Sequence, residues 1–342
     1  MAVTVNRKKS PDARLLDVLI ALSPLAVWSF VLYGTKALGL EIAGVLAAAA
    51  AHLAVSFFKK YALKKERRIF DLSPVITGLL ISFTLPAGAP VWIPALGSFI
   101  AIAVKEAFGG MGKNPVNPAL TGRVFLELVF GKYLTVVPVI APDIDRSAIG
   151  SILENELPDV EIKNMFLGLM DGGLGETSAL LILVSALFLI LRGTVKIETP
   201  VAMIASAAAV SMIFAPDNVS YFRFTGAELL AGGLLLCSVF FVSDPVTTPQ
   251  MFFGRLIFGA LAGALAILCR LYIGYEGIYV IVFVLGLWTP LLDRLTRPSV
   301  FGGLKVPKAP ENIGKETAPS VNTEADRPET LLSDESEKGE NK

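Results

Sequence analysis

The chain has 342 residues, of which 54% are hydrophobic, and its 30 basic residues balance its 30 acidic ones. The apolar residues are grouped into long runs and present more apolar surface than a soluble domain of this size can bury. An ordinary soluble enzyme is therefore excluded, and a polytopic membrane protein is predicted. A net charge of zero gives no sign of a nucleic-acid partner.

Apolar stretches long enough to cross about 30 Å of hydrocarbon predict an all-α fold with about ten transmembrane helices. The stretches lie near residues 15–34, 38–58, 72–86, 91–108, 118–140, 174–193, 197–215, 226–242, 254–273 and 277–295. The third, fifth and eighth contain or adjoin Pro and Gly, which is typical of broken or re-entrant helices that line a protein interior.

The distribution of Lys and Arg predicts the orientation of the chain. With ten spans, the main basic segments all fall on one side of the membrane, which the positive-inside rule makes cytoplasmic. They are residues 7–14, 59–68, 105–123, 192–196, 255 and 294 onward. The N-terminus 1–12 and the tail 301–342 then lie on that side, and the acidic loop 141–173 lies outside. The tail has few large apolar residues and is predicted to be disordered.

Two similar segments indicate an internal repeat. One runs from Asn114 to Pro118 and the other from Asp244 to Pro249, and each is followed by a Gly-Arg pair. They predict two halves of five spans, 13–140 and 174–300, related as an inverted repeat. The predicted topology puts both segments on the cytoplasmic side, whereas an inverted pair belongs on opposite sides. Either the similarity is local to a turn before a helix, or the halves align differently.

The polar residues of these segments have two interpretations. Pro and Asn start turns, and Gly-Arg opens the next helix, so the segments could be ordinary loops. Alternatively, polar side chains beside unwound backbone could hydrogen-bond a polar ring system or coordinate a hard cation such as Na⁺. The residues concerned are Asn114, Asn117, Thr121, Asp244, Thr247 and Thr248.

A glycine-rich hexapeptide, residues 172–177, ends in Thr177 where the polar stretch from Ala141 gives way to the apolar run from Ser178 to Leu191. This threonine has two interpretations. It could be a helix N-cap, because its side-chain oxygen can accept a hydrogen bond from a free backbone N–H. Alternatively, flanking glycines would leave its hydroxyl sterically open, so that an enzyme could attach a bulky group to it before or during membrane assembly.

Four motifs in this order resemble a known family. They are Ser73-Pro74-Val75-Ile76-Thr77-Gly78-Leu79-Leu80, then residues 109–119 (GGMGKNPVNPA), then Gly175-Glu176-Thr177-Ser178-Ala179, then residues 243–249 (SDPVTTP). The chain resembles the D subunit of the Rnf complex, an ion-pumping ferredoxin:NAD oxidoreductase, over about residues 13–300. It is similar also to the B subunit of the Na⁺-translocating NADH:quinone reductase.

The resemblance implies a membrane subunit that passes electrons between flavins. It implies that Thr177 carries FMN through a phosphoester bond made by a flavin transferase, with Gly175 and Glu176 beside it and Ser178 as a rival acceptor. A second flavin, non-covalent riboflavin, would lie near Asn114, Asn117, Thr121, Arg123, Asp244 and Thr247. The resemblance also implies other Rnf subunits as partners and a bacterial or archaeal cytoplasmic membrane as the location, with Na⁺ or H⁺ as the transported ion.

Several motifs are absent from the sequence, and these absences limit what the chain does alone. No GxGxxG follows a strand, no Walker motif occurs, and Cys237 and Cys269 form no cluster for an iron–sulfur centre. Binding of NAD and ferredoxin is therefore assigned to partner subunits, and the two thiols are interpreted as buried and inert.

Three ionisable residues within or near predicted spans are candidates for a functional role. His52 is a functional candidate, but a bond to a neighbouring helix is the plainer interpretation. Asp17 and Glu41 lie near span ends and are interpreted as solvated, with cation coordination as the alternative.

Two rival functions follow from the same sequence. A redox-silent transporter or channel could be built from two five-helix halves with broken helices, and it would carry no chromophore. A purely structural membrane anchor would keep electron transfer intact when Thr177 is replaced.

Overall fold

The helices of the first predicted half follow the apolar runs closely. The computed structural model describes residues 10–62, 71–110, 112–136, 147–217 and 219–297. Its first five helices are α1 Pro11–Tyr33, α2 Thr35–Ala62, α3 Ser73–Phe83, α4 Trp92–Ala107 and α5 Pro118–Phe130, followed by a 3₁₀ turn Gly131–Tyr133. Helix α1 begins where the Ser10 side chain accepts from Ala13 N, at 3.2 Å, directly before a proline in the first turn.

Nine further helices follow in the described ranges. The connecting segment contains α6 Ala148–Leu153 and α7 Ile162–Leu167. The second predicted half contains α8 Ala179–Leu191, α9 Glu198–Ile213, α10 Tyr221–Leu230, α11 Leu234–Leu236 with a π-helical turn Cys237–Phe241, α12 Phe252–Ile273, α13 Ile278–Leu287 and α14 Thr289–Leu295. In the same ranges the only β feature is an isolated bridge between Pro86 and Gly173, so the all-α prediction is confirmed.

Each of the ten predicted spans coincides with a helix or a bent helix pair, but the helices differ in length. Among the described residues, three helices are long and apolar enough to cross a membrane alone, namely α1, α2 and α12, and two bent pairs raise the number to five. Helices α3, α8 and α9 are apolar but shorter. The count of ten crossings therefore stays a prediction, as do the two halves and the side of the membrane on which each loop lies.

The predicted helix breaks are partly confirmed. The third span is an 11-residue helix that ends before an irregular segment, and the eighth is broken between α10 and α11 with a 60° bend. The fifth stays helical from Pro118 to Phe130. An unpredicted 56° bend separates α13 from α14, where Pro290 removes a backbone donor and crowds the carbonyl of the preceding turn.

Small residues allow the helices of each half to approach closely. Helix α2 packs mainly on α3 and α4, and α9 packs mainly on α12. A Cβ at Gly78 would lie 2.5 Å from Gly44 O, and a Cβ at Gly263 would lie 2.1 Å from Met203 O. These close backbone approaches join α2 to α3 in the first half and α9 to α12 in the second.

The two segments that suggested the repeat are neighbours in the fold. The first precedes α5 and the second precedes α12, and Asn117 Nδ2 donates to Asp244 Oδ2 at 3.1 Å. The two segments therefore meet at one polar site, and the repeat itself stays a prediction. The order of helices supports a different alignment, in which Pro86 and Pro90 correspond to Pro245 and Pro249, because both pairs lie between the third and fourth spans of their half. In the predicted topology, these two pairs lie on opposite sides of the membrane.

Candidate functional site

The segment from Asp171 to Ser178 is a buried loop that precedes α8. Its backbone pairs with the end of α3, because Leu174 N donates to Leu85 O and Gly175 N donates to Phe83 O, each at 2.9 Å. Gly172 N donates to the Tyr33 hydroxyl of α1 at 3.2 Å. We call residues 171–178 the threonine loop. Two helices of the first predicted half therefore hold this loop in place.

Thr177 is not the helix N-cap, so that interpretation is wrong. Helix α8 begins at Ala179, and the Ser178 side chain caps it by accepting from Leu181 N at 3.4 Å. The same Ser178 hydroxyl donates to Leu167 O at 3.1 Å. Both hydrogen-bonding functions of Ser178 are therefore engaged, which weakens it as a rival acceptor for a covalent group.

The Thr177 hydroxyl is the unusual group of the loop. The residue is 1% exposed, and Oγ1 has no hydrogen-bond partner within the described part of the chain. A buried hydroxyl without a partner costs about 1–3 kcal/mol, so such a group calls for a reason beyond packing. A phosphoester through Oγ1 would supply one, because it replaces the unpaired O–H with a covalent bond. Oγ1 is thus chemically suited to a phosphoester, and because the residue is 1% exposed, an attached group would require the loop to be displaced.

The glycines of the threonine loop serve close packing rather than open space. A Cβ at Gly175 would lie 2.6 Å from Phe83 Cβ, and a Cβ at Gly173 would lie 2.6 Å from Glu176 Cδ. The expectation of a sterically open hydroxyl is therefore wrong for the folded chain. A transferase could reach Thr177 only before this loop closes or while it is open.

Glu176 anchors the loop to the second predicted half. Its buried carboxylate accepts a hydrogen bond from the Tyr279 hydroxyl at the start of α13 and another from Gly173 N, at 3.3 Å. The Arg123 guanidinium lies over the Tyr279 ring, 4.9 Å from its centroid, and pairs with Glu127 at 2.7 Å. These contacts form a charged cluster beside Thr177.

Sequence reasoning placed Arg123 with the second flavin, whereas the structure places it near the threonine loop. Arg123 lies six residues after Asn117, which at 100° per residue turns it to another face of α5. Tyr279, which links Arg123 to Glu176, was missed. Its only signal in the sequence is a phenol within an otherwise apolar run.

A second polar site joins three of the predicted residues. Asp244 Oδ2 accepts from Asn117 Nδ2 and from Thr247 Oγ1, each at 3.1 Å, and Asp244 Oδ1 accepts from Val246 N at 3.1 Å. Burial raises the pKa of the Asp244 carboxyl above its ordinary value, and these hydrogen bonds lower it in part. We call Asn117, Asp244 and Thr247 the aspartate site.

The remaining residues predicted for the second flavin point elsewhere. In the amide orientation that satisfies its neighbours, Asn114 donates to Lys105 O and Gly110 O, each at 3.2 Å. Thr121 Oγ1 donates to Asn117 O at 3.1 Å, along its own helix. Neither side chain joins the hydrogen bonds of the aspartate site.

A small cavity adjoins the aspartate site. It has a volume of about 10 Å³, and its lining consists of Val116, Asn117, Leu120, Phe241, Thr247, Phe258, Val282, Phe283 and Gly286. That volume has room for about one water molecule. A flavin ring does not fit here in this conformation, so no chemical step is assigned to a second flavin.

Other ionisable residues are paired inside the protein. Asp17 is 1% exposed and bonds to Arg192 at 2.9 Å and to Thr194 at 2.7 Å, and buried Glu41 accepts from the Ser29 hydroxyl. The interpretation of Asp17 and Glu41 as solvated is therefore wrong, because each finds a partner on another element. Within the described residues no cluster of His, Cys, Asp and Glu could hold a metal ion.

The predictions for His52 and the cysteines are confirmed only in part. His52 Nδ1 lies 3.5 Å from Glu106 Oε1 of the neighbouring helix α4, which is near the predicted contact but too long for a hydrogen bond. Cys237 is buried as predicted, whereas Cys269 is only partly buried, and both thiols are free.

Comparisons with known proteins agree with the resemblance of the sequence motifs. The chain matches the family described as NQR2, RnfD, RnfE over residues 2–302. The D subunit of the proton-translocating ferredoxin:NAD(+) oxidoreductase complex of Clostridium ljungdahlii is 33% identical over 302 residues, which cover 84% of this chain and 90% of that protein.

Two further relatives are similar over most of their length. The D subunit of the Na(+)-translocating ferredoxin:NAD(+) oxidoreductase complex of Acetobacterium woodii is 31% identical, with 89% of this chain and 95% of that protein covered. The D subunit of the ion-translocating oxidoreductase complex of Stutzerimonas stutzeri is 30% identical, with 86% and 93% covered. The chain therefore belongs to the NQR2, RnfD, RnfE family of membrane proteins.

Proposed function

We propose that this chain is a flavin-carrying membrane subunit of an ion-translocating ferredoxin:NAD oxidoreductase complex. The family and the relatives named above support membership of such a complex. The observation that carries the flavin is the buried Thr177 Oγ1, which has no partner in the described part of the chain, beside a Ser178 hydroxyl that is fully engaged. FMN would be held there by a phosphoester bond to Oγ1.

Attachment would be a phosphoryl transfer to this hydroxyl. The Oγ1–phosphorus bond forms, the hydroxyl proton is lost, and the leaving group of an activated flavin nucleotide departs. Because Thr177 is 1% exposed in the closed loop, the flavin transferase must act on an open loop, before or during assembly. The bilayer and the other subunits would be the partners of the mature chain.

The residues around Thr177 would then position the attached group. FMN supplies reversible electron transfer when it is bound. The chain contributes a loop fixed to α3 by Phe83 O and Leu85 O, and a buried carboxylate, Glu176, fixed by the Tyr279 hydroxyl. Such fixed polar groups act strongly on a neighbouring redox group because little water screens them.

The test is the fluorescence of the denatured chain under ultraviolet light after co-expression with a flavin transferase. We expect a fluorescent wild-type band and a dark Thr177→Val band. Ser178→Ala is the matched control, since it removes the neighbouring hydroxyl and a helix cap but should keep the fluorescence. A dark wild-type band, with the transferase active on another substrate, would favour the redox-silent transporter.

Electron transfer in the assembled complex separates this proposal from the structural anchor. We expect Thr177→Val to stop electron flow through the complex while the subunits still assemble. Normal electron transfer in an assembled Thr177→Val complex would support the anchor instead.

A further inference from the structure

The break between α10 and α11 leaves backbone C=O and N–H groups without helical partners inside the protein. Helix α10 ends at Leu230 and α11 begins at Leu234, with Ala231, Gly232 and Gly233 between them. A helix end presents carbonyls without partners, and a helix start presents free N–H groups. In broken membrane helices the carbonyl ends commonly coordinate cations and the N–H ends bind anions.

Here the chain's own charged side chains fill both ends. Arg270 of α12 donates through one Nη to Glu228 O at 2.6 Å and through the other to Ala231 O at 3.1 Å. Glu276 Oε1 accepts from Gly233 N at 2.7 Å. A guanidinium thus occupies the place of a bound cation, and a carboxylate occupies the place of a bound anion.

Arg270 also forms ion pairs with two carboxylates, so the cluster contains one positive and two negative charges. Arg270 pairs with Glu228 Oε2 at 2.8 Å and with Glu276 Oε1 at 3.1 Å. Arg270 is 1% exposed and Glu228 is fully buried. Glu228 Oε1 is buried without a hydrogen-bond partner in the described part of the chain, so this carboxylate keeps an oxygen that could bind a cation.

Gly232 makes the arrangement possible. Its φ is +67°, a conformation that favours glycine, and a Cβ there would lie 1.9 Å from Glu276 Oε1 and 2.9 Å from an Arg270 nitrogen. Any side chain at this position would therefore push the two charged groups away from the helix break.

The first predicted half has a related arrangement at the start of α3. Lys105, 2% exposed and near the end of α4, donates to the Ser73 hydroxyl and lies 3.9 Å from Asp71 Oδ2. Lys105 and Arg270 both belong to the last turns of the fourth span of their half. A buried cation from the fourth helix thus contacts the third span in both halves, at the start of α3 in the first half and at the end of α10 in the second.

We infer that the α10–α11 break is a cation site permanently filled by the tethered guanidinium of Arg270, so that no free ion passes there. Removal of Arg270 leaves two carbonyl oxygens and two carboxylates, an oxygen set that suits a small hard cation. The inference is independent of the flavin on Thr177. It implies that the transported ion, Na⁺ or H⁺, takes a route outside this helix break.

The test uses the full chain in lipid nanodiscs and follows thermal unfolding in choline, Na⁺ and low millimolar guanidinium at equal ionic strength. We expect the wild-type Tm to be the same in all three. Arg270→Ala should lower the Tm in choline by roughly 5–10 °C, because the carboxylates lose their counter-charge. Na⁺ or guanidinium should restore at least half of this loss.

Arg270→Met is the matched control, because it fills the space without a charge, and it should be as unstable in choline as Arg270→Ala. If guanidinium but not Na⁺ restores the Tm of Arg270→Ala, the result would support the tethered cation and would restrict the site to planar guanidinium-like cations. Failure of both cations to stabilise Arg270→Ala, or a wild-type Tm for Arg270→Met, would overturn the inference. If Arg270→Ala does not accumulate, the Tm of Arg270→Lys is compared with that of Arg270→Gln. The inference requires the higher Tm for Arg270→Lys, and the reverse order would overturn it.

Discussion

The hydrogen bond between Tyr279 and Glu176 should control how often the threonine loop opens. Among the described residues, the buried Glu176 carboxylate accepts from Tyr279 and from Gly173 N, and Tyr279→Phe leaves only the Gly173 bond, at 3.3 Å. A hydrogen bond to a charged group contributes about 1.5–3 kcal/mol. Because about 1.4 kcal/mol corresponds to a factor of ten, the open population should rise about 10- to 100-fold.

The opening is measured by alkylation of a cysteine at the acceptor position. Thr177→Cys is made in a chain that carries Cys237→Ala and Cys269→Ser, without a flavin transferase, and the rate of thiol alkylation is followed. When reclosing is faster than labelling, this rate reports the open population. The variant with Tyr279→Phe should therefore be labelled about 10- to 100-fold faster.

Tyr275→Phe is the matched control for this measurement. Its hydroxyl also donates to a carboxylate, but that carboxylate belongs to Glu127 of α5 rather than to the threonine loop. We expect its labelling rate to equal that of the parent. Equal rates for Tyr279→Phe and the parent would refute the idea that Glu176 and Tyr279 hold the loop closed.

Two further predictions concern helix packing and pH. Gly78→Ala should destabilise the protein by about 1–3 kcal/mol because the added Cβ would lie 2.5 Å from Gly44 O, whereas Gly39→Ala, with nothing within 4 Å, should be neutral or stabilising in thermal unfolding. Because the pKa of Asp244 is raised on folding, the folded state binds more protons above the ordinary value of 3.8, so this group's contribution to stability falls as pH rises through that window. Asp244→Asn should flatten the dependence of Tm on pH above about pH 4, and an unchanged slope would contradict the assignment.

The sequence predicts the helices well because apolar runs and caps are local signals. Ser10 begins α1 and Asn117 begins α5, in both cases directly before a proline. The length of each helix is less predictable. The apolar run from residue 174 predicts one span, yet its first residues belong to the threonine loop, because they pair with Phe83 and Leu85 from a distant part of the chain.

The chemistry of Thr177 could be predicted only in part for the same reason. A threonine before an apolar run satisfies the pattern of a helix cap, and so does the serine that follows it. Which hydroxyl caps α8 depends on where the backbone turns, and the contact of Ser178 with Leu167 O decides it. That the Thr177 hydroxyl has no partner among the described residues becomes visible only in the folded chain.

The two candidate sites are joined by packed side chains that the sequence does not reveal. Helix α5 begins at the aspartate site with Asn117 and carries Arg123 to the threonine loop, a rise of about 9 Å along the helix axis. On the facing side, the Tyr279 ring packs edge-on against Phe241, with centroids 5.6 Å apart, and Phe241 lines the cavity at the aspartate site. Tyr279 also bonds to Glu176, so the same two aromatic rings lie between the threonine loop and the aspartate site. The threonine loop and the aspartate site therefore share one continuous packing contact through Tyr279 and Phe241.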